Sequence, residues 1–249
     1  MAELPSGLIE EMKPLIRARQ VLLIGEVHGT VQYPALIEKL VRAATADGLS
    51  VTVGLELPSS ETAGDFGPFW TESVGDGRTS RAMAELITGV IDITAGGADV
   101  HTVFFDLPYV TPGQSIPIEM QHLFCLPRDQ VMAEFVIEQI DRRPDAFTVI
   151  LAGNVHTQVV APRRRRNRQP PPMAAYLARW YHDAVSLMGK TSGGEAWVLV
   201  GQAKAGGPRR IAPDRNVEAG VRWSAELTAD RHHGHVHIGR VTASPRHAG

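Results

Sequence analysis

The 249-residue chain is 43% hydrophobic and 21% charged, the composition of a globular protein with room for one large domain or two small ones. A formal net charge of −2 gives no global attraction to nucleic acid or to an anionic membrane surface. No apolar run approaches the ~20 residues a bilayer-spanning helix needs, and a single cysteine, Cys125, excludes an internal disulfide and a multi-cysteine zinc site.

The opening stretch "MAELPSGLIEEMKPLIRAR" mixes acids and bases at helical spacing rather than presenting a signal peptide, so a cytoplasmic home and a leading helix over 8–18 are expected. The run "VLLI" (21–24) reads as a buried strand and stops at Gly25-Glu26-Val27-His28. Amphipathic spacing then predicts a helix over 33–46, followed by a strand at 51–55 that ends in Gly54-Leu55-Glu56. Residues 58–79 form a long connection carrying Phe66, Phe69 and Trp70, and a connection of that length is often a lid or binding loop. Its aromatics read either as the lining of an apolar substrate pocket or as anchors onto the core.

A helix over 80–93 leads to a strand at 102–105 that stops at Asp106. The second long connection, 109–126, starts at Tyr109 and includes "HLFCLP", an apolar setting that predicts a core position for Cys125. Arg128 opens a helix over 128–143, and the strand 147–151 ends in Gly153-Asn154-Val155-His156. Further strands are expected at 184–188, 196–200 and 235–242, closely spaced with glycine-rich turns that suggest antiparallel hairpins. The fold class is therefore α/β: one domain over 1–249, a mostly parallel sheet flanked by helices, with antiparallel additions near the C-terminus.

In an open parallel sheet the carboxyl ends of the strands share one edge, and ligands bind in the crevice there. Ionisable groups stand at the ends of four successive strands, so Glu26, His28, Glu56, Asp106 and His156 are expected around one cleft, with Arg128 leaning over it. A neutral imidazole near pH 7 takes a proton from water, and a carboxylate on its other nitrogen sets the tautomer. His28 is the candidate base, Glu26 or Glu56 its orienting acid, and Arg128 with His156 the groups that face an oxyanion. Asp106, Phe69, Trp70 and Tyr109 are the candidate substrate-binding residues. No Gly-x-Ser-x-Gly elbow or His-Glu-x-x-His helix competes with this reading.

The motifs "GEVHG" (25–29), "GLE" (54–56), "FD" (105–106), "RDQVMAE" (128–134) and "GNVHT" (153–157) resemble, in order, those of the superfamily that joins ChaN-like haem-binding uptake proteins, erythromycin esterases and Tiki-type proteases. The resemblance spans roughly residues 20–160. It implies a parallel-sheet fold with a cleft at the strand ends, and an activity drawn from ester hydrolysis, metal-dependent proteolysis or haem carriage. His28 matches the histidine proposed in the esterases to activate water, Glu26 and Glu56 their cleft carboxylates, Arg128 their cleft arginine and His156 their second histidine.

Three functional readings stay open at this point: hydrolysis of an ester, lactone or amide; haem or metal binding without turnover; and tailoring of a peptide or natural product. Glu26, His28, Glu56 and His156 also form a donor set for a divalent metal, although a neighbouring arginine favours chemistry with no cofactor. In an extended strand His233, His235 and His237 of "HHGHVHIG" share one face, either as a metal or haem surface or as a solvated hairpin that binds metal adventitiously. The basic run at 163–168 reads as a solvated loop. The expected partner is a small-molecule or peptide substrate, with no nucleic acid and no membrane.

Overall fold

Strands that lack polar alternation need cover on both faces, and the central strands of this protein have it. The computed structural model describes all residues except 1–2, 19–20, 73–74, 162–169, 201–202, 216, 218–219 and 248–249, so the basic run at 163–168 lies outside the described residues. In chain order the elements are α1 (Leu8–Arg17), β1 (Val21–Glu26), α2 (Gln32–Ala46), β2 (Val51–Pro58), α3 (Pro68–Glu72), α4 (Arg81–Ala95), β3 (Val100–Asp106), α5 (Gln121–Phe124), α6 (Arg128–Arg142), β4 (Phe147–Gly153), α7 (Met173–Leu177), β5 (Val185–Lys190), β6 (Gly194–Val200), β7 (Ala203–Ile211), β8 (Gly220–Trp223) and β9 (Gly234–His237).

Seven strands form one sheet in the order β3-β2-β4-β1-β5-β9-β8, parallel throughout except for β8 against β9. β1, β2 and β4 are buried along their whole length. Their side chains alternate between two cores: Leu22, Ile24, Val149 and Leu151 meet α1, α2 and α4, while Val21, Leu23, Ile150 and Ala152 meet α6 and α7. No helix among the described residues is long and apolar enough to cross a membrane.

The antiparallel additions expected near the C-terminus are present as the β6–β7 and β8–β9 pairs, while the detailed pairing from residue 184 onward differs in two respects. β5 lies parallel to β1 and β9 parallel to β5; residues 154–184 lead into β5, and residues 191–233, which include the β6–β7 hairpin and β8, separate β5 from β9, so each parallel pair has the long crossover it requires. β6, expected in the sheet, instead pairs with β7 in a separate two-stranded hairpin.

Register places the chemistry. Glu26 is opposite Gly153 across the β1–β4 pair, and Leu55 is opposite Leu151 across β2–β4, so Glu26, Glu56 and the turn after β4 come level at one edge. The hairpin and the 59–80 connection close on the turn after β1. Gly29 there has φ +72, and a Cβ on it would lie 2.1 Å from the Trp197 carbonyl oxygen; one on Gly77 would lie 2.5 Å from the Gly29 nitrogen. That three-way backbone contact sets the position of Arg78. Ser80 then starts α4 by accepting the Met83 N–H.

Candidate active site

Glu26 is the last residue of β1, with its side chain 1% exposed, and two residues on His28 folds back over it. His28 Nδ1 donates to Glu26 Oε1 at 2.9 Å. A carboxylate only accepts, so the Nδ1 position keeps its proton and Nε2 is the nitrogen that faces the cleft. Nε2 is 3.5 Å from Glu56 Oε2. This approach needs the bare backbone of Gly153, where a Cβ would stand 3.1 Å from His28 Nε2 and 3.6 Å from both Glu56 Oε2 and His156 Cδ2.

Glu56, at the end of β2, is 3% exposed and fully engaged. Its Oε2 accepts the Gly153 N–H at 2.8 Å and its Oε1 accepts Arg128 Nη2 at 2.7 Å. Arg128, on the first turn of α6, also grips Asp106 through Nε at 2.7 Å and Nη2 at 2.8 Å. Its Nη1 faces His156 Nε2 at 3.4 Å. His156 is oriented from behind by Asp129, whose Oδ1 accepts His156 Nδ1–H at 2.7 Å and the Met173 N–H at 2.8 Å. A second arginine, Arg78, donates to Asp106 Oδ2 at 2.5 Å and to Asp76 at 2.8 Å, with its guanidinium 5.5 Å above the Phe69 ring centre.

These contacts set the charges. Burial disfavours a charged His28, but Glu56 and then Glu26 outweigh it and raise the pKa from 6.5 to about 9. Burial likewise pushes the Glu56 carboxyl up, yet His28, His156, Arg78 and Arg128 together hold it down at about 2. Burial works against the charge on Arg128 and Arg78; hydrogen bonding and charge from Asp106 and Glu56 on Arg128, and charge from Asp76 and Glu56 on Arg78, raise both above their ordinary values. His28 at pH 7 is thus an imidazolium held between two carboxylates, a correction to the neutral imidazole expected from sequence.

Glu26, His28, Glu56, Arg128 and His156 therefore lie around one cleft, linked by direct contacts. The candidate substrate-binding residues fare differently. Asp106 is 5% exposed and spends both oxygens on Arg128, Arg78 and the Leu107 N–H, so it positions the arginines and has no free acceptor for a substrate. Trp70, 2% exposed, packs edge-on against Phe66 at 4.7 Å and near His247, and is a core anchor. Phe69, 4% exposed, supports Arg78 from beneath and meets the half-buried Tyr109 at 5.5 Å. Cys125 is exposed, a correction to its expected core position. Arg78 and Asp129 are the residues that sequence reasoning missed. Asp129 follows Arg128 directly in "RDQVMAE", which was the available signal; Arg78 sits in a loop with no motif around it.

Solved structures resemble the whole arrangement of strands and helices. A mutant of the erythromycin esterase EreC in its open conformation is 14% identical, with 86% of this chain and 83% of that one covered at a TM-score of 0.57. This chain has the erythromycin esterase fold. A Bacillus cereus protein, 12% identical, covers 98% of this chain and 94% of its own at a TM-score of 0.65. A succinoglycan biosynthesis protein, 11% identical, covers 99% and 95% at the same TM-score. No protein-family model and no curated protein matches the sequence.

The donor chemistry does not suit a cofactor of the kinds the erythromycin esterase superfamily resemblance raised. His28 and His156 each have Nδ1 committed to a carboxylate, and each Nε2 faces Glu56 or Arg128 rather than an apolar slot. Arg128 occupies the position between Glu56 and Asp106 where a cation would sit, and no group of three or more His, Cys, Asp or Glu among the described residues is arranged to hold an ion. The second histidine group is likewise structural where its contacts are defined. His233 Nδ1 accepts the Ser186 N–H at 3.0 Å, His237 Nε2 meets Ser192 Oγ at 3.2 Å, and His235 lies between them on β9.

Proposed function

We propose that this protein is a hydrolase in which His28 activates a water molecule against the carbonyl of an ester, lactone or amide. The observation that carries the reading is His28 itself: Nδ1 pinned by Glu26, Nε2 3.5 Å from Glu56 Oε2, and the side chain 22% exposed, with Glu56 linking it to Arg128 and His156. The bonded cluster consists of carboxylates, imidazoles and guanidiniums with no hydroxyl or thiol among them, which supports attack by water without a covalent intermediate.

His28 must first lose its Nε2 proton. With a pKa of about 9, roughly 1 in 100 molecules is in the basic form at pH 7, and that form is a correspondingly stronger base. On taking a proton from water, the imidazolium regains its place between Glu26 and Glu56, and it is then the acid that delivers the proton to the leaving oxygen or nitrogen. Arg128 Nη1, shared in the resting state only with His156 at 3.4 Å, is the donor free to receive the developing oxyanion. Carboxylates at Glu26, Glu56, Asp106 and Asp129 frame the cleft and disfavour an anionic substrate, so a neutral carbonyl compound fits best.

Tailoring of a peptide or natural product uses the same base and arginine and falls within this proposal. Haem or metal binding without turnover is not favoured, for the donor reasons above. The test is turnover of a panel of neutral p-nitrophenyl esters, lactones and anilides by the purified protein. His28→Ala is expected to lower kcat/KM by about 10²–10⁴-fold with circular dichroism unchanged; a variant with wild-type turnover overturns the assignment.

A further inference from the structure

The connection from β3 to α6, residues 107–127, departs from what a surface loop ordinarily shows. Ten of its 21 residues are hydrophobic, yet Pro108 is the single buried residue in it. Among the described residues of this segment, Tyr109 alone packs against either core. Ile118 is 82% and Leu126 37% exposed, and Cys125 is exposed beside them.

Both ends of the segment are site residues: Asp106 precedes it, Arg128 follows it, and the two are bonded at 2.7 Å. The segment therefore stands as a closed loop on the rim of the cleft. On another side of the cleft, the turn leading into His156 exposes Val155 by 66%, and Val160 follows at 45%. Eight large hydrophobics are exposed among the described residues, and four of them fall in these two segments, which make up 28 of the 249 residues. Apolar surface concentrated at a polar reaction centre marks something to be covered there.

We infer that the 107–127 segment and the 154–160 turn form an apolar wall that holds the hydrocarbon body of a neutral acyl substrate while its carbonyl lies at His28 and Arg128. The inference rests on the hydrolase reading and adds the substrate class: esters or amides with an extended alkyl or ring portion. The carboxylates of the floor turn away a free fatty acid, while the wall takes up the uncharged chain. Complete burial of one methylene strengthens binding about fourfold, so a partly covered chain gains about twofold per carbon.

The experiment is a series of p-nitrophenyl acetate, butyrate, octanoate and decanoate below their solubility limits, on wild type and on Ile118→Ser and Leu126→Ser, with light scattering on each protein. The expected result is a kcat/KM that climbs about twofold per added methylene, with the decanoate-to-acetate ratio cut at least fivefold in the variants. A flat series in wild type overturns the wall while leaving the hydrolase reading intact. A wild-type dimer that Ile118→Ser dissociates overturns it also, by assigning the surface to a second copy of the chain. If no ester is cleaved at all, the hydrolase reading fails on its own. An environment-sensitive dye on Cys125 then decides the wall: a blue shift on adding 2-undecanone, a neutral ketone, upholds it, and no shift with the ketone overturns it.

Discussion

His28 sits between two buried carboxylates, and its charge couples the stability of the fold to pH. Its pKa rises from 6.5 to about 9 on folding, so its contribution is fully present below pH 6.5 and is lost as the pH climbs through about 9. Glu56 works in the opposite sense: lowered from 4.5 to about 2, it contributes above pH 4.5 and ceases to as the pH falls through about 2. Urea melts of wild type and His28→Gln should therefore differ most near pH 6, by at most about 3 kcal/mol, and converge by pH 10. A gap that widens with pH would contradict the ion-pair environment. From the sequence, Glu26, His28 and Glu56 were expected around one cleft with one acid or the other orienting the imidazole; that both carboxylates approach the same ring at once, Glu26 at Nδ1 and Glu56 at Nε2, was not legible there.

At the level of elements, α6 does most to orient the site, because its first turn supplies both Arg128 and Asp129. Arg128 spans the Glu56 and Asp106 carboxylates of two strands, and Asp129 ties His156 to the start of α7. Asp129→Ala removes two acceptor contacts and leaves the Met173 N–H without its partner. The expected cost is about 1–3 kcal/mol in urea, with kcat for a model ester reduced about tenfold as His156 loses its fixed tautomer; unchanged kcat would separate Asp129 from the reaction. Strand ends and the helix start were legible because each depends on local pattern and on chain direction alone. Arg78 was not. Its place comes from Gly77 meeting Gly29 and the Trp197 carbonyl, a contact among three segments distant in sequence. The aromatics of the same loop show the converse, with local character that suits a pocket but positions, 4% and 2% exposed, that belong to the core.

Across the whole molecule, the parallel α/β plan followed from apolar runs separated by amphipathic helices, and two-sided burial of β1, β2 and β4 is its physical basis. The antiparallel additions of the C-terminal third were legible, as β6–β7 and β8–β9, but their partners were not: local spacing does not say which earlier strand β5 and β9 will join, and both joined the sheet in parallel. A surface cavity of about 710 Å³ is lined by residues such as Gln32, Arg240 and Thr242 and includes none of the five cleft residues, so a cavity of that size does not mark the chemistry. Chain direction pointed toward it, through one sheet edge where a base, its carboxylates and an arginine meet. The most direct measurement is kcat/KM of wild type on a neutral model ester from pH 5 to 10. With His28 as the base it should rise about tenfold per unit and level off near pH 9. A profile that is flat across this range, or retained in His28→Gln, would contradict the central role of that imidazole.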